Sequence, residues 1–170
     1  MQKFRSSILL LMLCHLLAAV NGQDWTRPEK GILDLRNHEF NEQWYLKLDG
    51  EWEFYWENFM DADAFTKDPP PEPTLFVNVP GYWKDYEHET LDLKGEGFAT
   101  YRLRILLPKD FTSEIGFDVP VFDAAFDLYL NSNLVWSNGK PGHSWESSEP
   151  AYDPGRIQYK PLSDTLQVVI

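Results

Sequence analysis

Beyond residue 47, apolar and polar positions alternate with period two in one short segment after another. In LDGEWEFYW, Leu48 to Trp56, the aromatics Trp52, Phe54 and Trp56 alternate with Glu51, Glu53 and Tyr55. Period two predicts a half-buried strand with the three aromatics facing inward. Burying side chains of that size contributes about 1.5–3 kcal/mol each. Leu75, Val77 and Val79 repeat the pattern and stop at Pro80-Gly81. Phe98 to Leu107 is the longest candidate, with Ala99, Tyr101, Leu103, Ile105 and Leu107 on one face and Thr100, Arg102 and Arg104 on the other. Glu114 to Val119 is shorter and turns Ile115, Phe117 and Val119 inward. Ala124–Leu130 and Leu134–Trp136 read as a hairpin across Asn131-Ser132-Asn133, because Asn tolerates positive φ. Leu166, Val168 and Ile170 belong to a last, truncated strand.

The segments between the strands are short or irregular. Asp24–Asn41 is a polar arm interrupted by Pro28 and Gly31, and Asn58–Thr66 suits a short helix with Phe59 and Phe65 as its apolar contacts. Lys67–Pro73 is an exposed proline loop, and Ser137–Gly155 is a long loop rich in Gly, Pro and Ser. Seven or eight short strands with almost no helix predict an all-β fold, a β-sandwich or jelly roll. One core is expected to hold Trp52, Phe54, Tyr101, Leu103, Phe117 and Leu128.

The N-terminus has a different character. Lys3 and Arg5 precede an almost continuously apolar run, Ile8–Val20, and small residues follow at Val20 and Gly22. These features predict a secretory signal over residues 1–22, cleaved after Gly22. The run is short for a membrane span, with an uncleaved anchor as the alternative. The domain plan is therefore a signal (1–22), an arm (23–41) and one sandwich domain (42–170). The chain has 170 residues and one cysteine. That cysteine, Cys14, lies in the signal. An exported chain without disulfides fits a bacterial envelope, on its periplasmic or extracellular face. The formal net charge is −12, and loss of Lys3 and Arg5 takes it to −14. So acidic a domain argues against nucleic acid and anionic lipid surfaces as partners.

Catalytic and metal signatures are sparse. Glu51 and Glu53 are the only paired carboxylates on a predicted strand that invite an enzymatic reading. A retaining glycosidase needs two carboxyls about 5–5.5 Å apart, and alternate strand residues are roughly 6.5–7 Å apart at Cα. Spacing alone does not exclude the pair. His38, His88 and His143 are far apart, with no His-x-His or HExxH spacing, and Asp123 and Asp127 lack an EF-hand frame. No GxSxG, P-loop or GxGxxG occurs. No metal, cofactor or catalytic residue is assigned. What remains is the long loop, where His143, Trp145, Glu146 and Tyr152 concentrate and Arg156 follows. Aromatic and charged groups on a loop of a rigid β scaffold suit ligand binding. The alternative is that Trp145 and Tyr152 pin the loop to the sandwich edge.

The order LDGEWEFYW, VPGYW (Val79–Trp83) and GFATYRLRILLP (Gly97–Pro108) resembles the sugar-binding jelly roll of glycoside hydrolase family 2. The stretch AFDLYLNSNLVWSNGKPGHSWESSEPAYDP, Ala125–Pro154, resembles the extracellular sensor domain of bacterial seven-transmembrane receptors with diverse intracellular signalling modules. The resemblance covers roughly Leu33 to Ile170. Its hairpin turn departs from the pattern, with Asn131-Ser132-Asn133 where relatives tend to have Asn-Gly-Lys. It implies a galactose-binding-domain-like jelly roll. In glycosidases of this kind the catalytic carboxylates sit on a separate barrel of about 250 residues. The implied function is non-catalytic ligand sensing, with a carbohydrate or other small polar solute as ligand. The membrane would be reached only through a C-terminal transmembrane region that lies beyond this sequence. The alternatives are a carbohydrate-binding accessory domain of a glycosidase and a stand-alone protein-interaction domain.

Overall fold

The computed structural model describes residues 26–41, 44–93 and 95–170. The signal assigned to residues 1–22 lies outside them. Among the described residues nine strands follow in chain order: β1 Ile32–Asp34, β2 Gly50–Trp56, β3 Leu75–Val79, β4 Ala99–Leu106, β5 Ile115–Val119, β6 Phe126–Leu130, β7 Asn133–Asn138, β8 Gly155–Tyr159 and β9 Thr165–Val169. The main sheet runs β3-β2-β4-β9-β6-β7, and β1 lies parallel to β4. The other layer is the antiparallel pair β5-β8. The fold is an all-β jelly-roll sandwich, as the alternation predicts.

The core between the layers gathers Trp52, Leu103, Ile105, Leu128, Leu130, Leu166 and Val168 from the main sheet against Ile115, Val119 and Ile157 from the pair. Tyr101 and Phe117 pack on it half-buried. Phe54 does not join this core. It is fully buried in a second cluster with Val77 and Leu93, closed by Trp56, Trp83, Tyr86 and Tyr101. The single core of the sequence reading is thus divided, because the segment after β3 folds back and covers the far end of β2. There the Trp83 indole donates to the Tyr101 hydroxyl at 2.6 Å, and burial pushes the Tyr101 phenol well above its ordinary range.

Strand β2 is buried on both faces, against the half-buried expectation. Glu53 and Tyr55 are as inaccessible as Trp52 and Phe54. The covering segment is Asn58–Pro71, which includes a 3-10 helix at Ala62–Thr66, shorter than the predicted helix. Its Ala62 and Phe65 pack with Tyr55 and Val169. Arg102, on the polar face of β4, is buried there too. The cause is charge pairing, since a buried guanidinium requires a partner. The Glu53 carboxylate accepts from Tyr55 Oη at 2.8 Å, Arg102 Nη1 at 3.1 Å and Arg104 Nη2 at 3.2 Å. Arg102 also donates to Gln167 Oε1 at 2.8 Å and stacks 4.4 Å from the Phe65 ring centre.

Two elements fall where no strand is expected. The polar arm contributes β1, and β8 opens at the end of the Gly/Pro/Ser loop. The hairpin turn is as predicted, with Asn131 at φ 52° between β6 and β7.

Candidate functional site

Loop 139–154 joins β7 to β8 and is held by groups at its base. Asn138 is buried and works as a clasp. Its Nδ2 donates to the Ala124 and Ala151 carbonyls at 2.7 and 2.8 Å, and its Oδ1 accepts from the Asp153 N–H at 3.1 Å. Lys140 and Glu149 exchange backbone hydrogen bonds of 2.8 and 2.9 Å, which closes the loop. Gly139, at φ 75°, makes this approach possible, since a Cβ there would lie 2.0 Å from the Glu149 carbonyl oxygen. At the tip, Ser144 and Ser147 form a capping box around a 3-10 turn at Trp145–Ser147.

The tip presents its aromatics to solvent. Trp145 is 77% exposed and Tyr152 64% exposed. Neither pins the loop, so the clamp alternative does not describe them; the clasp of Asn138 and the closing backbone bonds do that work. Of the five residues singled out, His143, Trp145 and Glu146 share the tip. The backbone N–H of Glu146 and the Ser144 hydroxyl hold the Glu146 carboxyl below its ordinary value. Tyr152 lies on the returning limb, between the two residues that Asn138 holds. Arg156 lies on β8, where its guanidinium pairs with Asp118 of β5 at 2.6 and 3.2 Å. That pairing lowers the Asp118 carboxyl.

His143 leads to a feature the sequence reading missed. Its ring packs edge-on against Phe59 at 4.8 Å and Phe98 at 4.7 Å. Phe59 lines an open cleft of about 390 Å³, walled also by Asn58, Met60, Asp61, Lys67 and Pro69. Loop tip and cleft therefore meet across one aromatic contact. The only sequence signal for it was Phe59 in the Asn58–Thr66 segment. Among the described residues no group of three His, Cys, Asp or Glu side chains could hold a metal ion. The carboxylates of the suspected pair on β2 both have partners. Glu53 is sealed between two guanidiniums, and Glu51 accepts from the Lys30 N–H at 3.2 Å.

No protein-family model matches this chain, and no curated protein sequence does. Solved structures do. β-Glucuronidase of Faecalibacterium prausnitzii is similar at a TM-score of 0.51 and 21% identity, over 77% of this chain and 21% of that one. β-Glucuronidase of Bifidobacterium dentium, complexed with coumarin-3-O-glucuronide, gives 0.46 and 21%, over 72% and 19%. The family 2 β-galacturonidase of Eisenbergiella tayi, bound to galacturonate, gives 0.39 and 18%, over 70% and 17%. This chain spans about a fifth of the length of the first of these, at 21%. At such identity the likeness is one of fold. The class it defines is a jelly-roll domain of the kind found within glycoside hydrolases. Among the described residues, no helix is long and apolar enough to cross a membrane.

Proposed function

We propose that this chain is an exported, non-catalytic carbohydrate-binding module that acts as the sensor domain of a bacterial envelope receptor. The observation that carries the binding role is the loop tip. An indole 77% exposed costs solvation and contributes nothing to the core, yet the loop beneath it is closely braced. A fixed, solvent-facing aromatic offers a sugar ring an apolar face while its hydroxyls stay hydrated. The receptor role is supported by the resemblance of Ala125–Pro154 to receptor sensor domains, and export by the signal-like residues 1–22. In such a receptor, ligand binding would bias a two-state equilibrium passed to the membrane helices.

A glycan array with the wild-type protein and Trp145→Ala tests the binding role. Binding is expected to disappear in the variant while the melting temperature stays unchanged. Retained binding, or a melting temperature lowered as by a core substitution, rejects the reading. The accessory-domain reading is favoured by one observation, the fold likeness to glycosidases of which this chain spans a fifth (21%). Coding sequence downstream separates the two: seven apolar spans support the receptor, and a catalytic barrel supports the glycosidase.

A further inference from the structure

The cleft beside the loop has a chemistry of its own. Phe59, Met60 and Pro69 give it apolar walls, and Phe59 is 42% exposed. Its polar groups are balanced. Asp61 uses one carboxylate oxygen to cap the 3-10 helix, accepting the Ala64 N–H at 3.0 Å, and its other oxygen bonds to no described residue. Lys67, at the far end of that helix, makes no ion pair among the described residues. The Asn58 side-chain amide likewise bonds to no described residue, while its backbone carbonyl accepts the Thr100 hydroxyl at 2.8 Å. The cleft thus offers one ammonium, one free carboxylate oxygen and one amide beside an aromatic edge. Its volume, about 390 Å³, lies at the low end for small-molecule sites.

We propose that this cleft is a sugar subsite taking one neutral hexopyranose unit, continuous with the Trp145 tip through the Phe59–His143 contact. The inference rests on the carbohydrate reading above and adds a second subsite and a charge preference to it. Ring hydroxyls both donate and accept, so one ring satisfies Lys67, Asp61 and Asn58 together. A uronate would gain Lys67 but bring its carboxylate against Asp61, in a protein of net charge −12. A cationic sugar would meet the reverse conflict.

The test is a titration of the full chain with methyl hexopyranosides, and with sodium glucuronate as the charged comparator, followed by ligand-observed NMR. Wild-type protein, Asp61→Asn, Lys67→Met and Trp145→Ala are compared. Asn caps a helix as well as Asp does, so Asp61→Asn keeps the fold. At least one neutral hexoside is expected to bind wild type more tightly than glucuronate. Lys67→Met should weaken it about tenfold, the loss of one hydrogen bond to a charged group. Asp61→Asn should narrow or reverse the preference over glucuronate. Binding lost in Trp145→Ala but unchanged in both cleft variants overturns the subsite and leaves the tip reading standing. Glucuronate binding more tightly than every neutral hexoside also overturns it. If no hexoside binds wild type, the subsite falls, and the glycan array then decides the tip reading alone.

Discussion

Replacing Glu53 with Gln removes one negative charge from beneath the main sheet while keeping the side chain's shape. The Glu53 side chain is 6% exposed and that of Arg102 8%, so neither ion can recover its hydration. Breaking a buried pair by neutralising one member costs about 3–5 kcal/mol, because the other charge is left uncompensated. Two features place this case at the low end. Arg104, the second partner, is 37% exposed and can turn to water. Arg102 also keeps Gln167 and the Phe65 ring. The expected loss is therefore about 3 kcal/mol, a large part of the roughly 5–15 kcal/mol that holds a typical domain folded.

Urea unfolding followed by circular dichroism reads this as a lower midpoint with an unchanged slope. The double variant Glu53→Leu/Arg102→Met removes both buried charges and should unfold near the wild-type midpoint or above it. A loss below about 1 kcal/mol for Glu53→Gln would refute the argument, since that is the behaviour of a solvated surface pair. So would a double variant as unstable as the two single changes added together.

Trp52→Ala should cost about 3–5 kcal/mol by urea unfolding, since Trp52 is 3% exposed and its indole donates to the Leu48 carbonyl at 2.8 Å. Asn138→Ala should cost about 1–3 kcal/mol and speed amide exchange at Asp153, because it strips partners from two carbonyls and one N–H. Alkaline titration should show stability intact below pH about 10, the ordinary tyrosine value, and declining above it. Burial raises the folded-state phenols of Tyr101 and Tyr55, so the unfolded chain releases those protons first and gains from it. Tyrosinate absorbance from these two should rise only together with unfolding.

The strands that the sequence displays are those with one apolar face and one polar face. Strands β3, β5 and β6 keep their alternation because each fully buries residues of one face only; β9 does not, since Val168 faces the inter-layer core and Val169 packs with Tyr55 on the other side. The alternation of β4 misleads at Arg102, whose partner sits one strand away in the register Glu53↔Arg102. Nothing in the order of residues says which carboxylate meets which guanidinium, nor that Asn58–Pro71 folds over them. Strand β1 is invisible for a related reason. Its three residues are held by parallel pairing to β4, a contact made across the fold and not by local pattern. The loop tip is legible because His143, Trp145 and Glu146 are neighbours in sequence. Phe59 and Phe98 are not, yet the topology brings them together. They lie just beyond the Trp56↔Ala99 pair that ends the β2-β4 ladder, so antiparallel pairing places them side by side, 4.8 Å apart.

That placement bears on how the domain could recognise a ligand. The residues that carry stability lie between the layers and beneath the main sheet; among the exposed aromatics, Trp145 stands on the loop tip and Phe59 at the end of one ladder. The tip is shaped before any ligand arrives, by Asn138, the Lys140–Glu149 bonds and the Ser144 capping box. Ordering a loop on binding costs affinity, and a loop already ordered avoids that cost. Under the proposed binding role, a change at Trp145 or Lys67 is expected to act on affinity alone, and a change at Asn138 on affinity and stability together. The contrast between those variants separates a preorganised recognition surface from a loop that folds around its ligand: in the second case, Asn138→Ala would weaken binding no more than it weakens the fold.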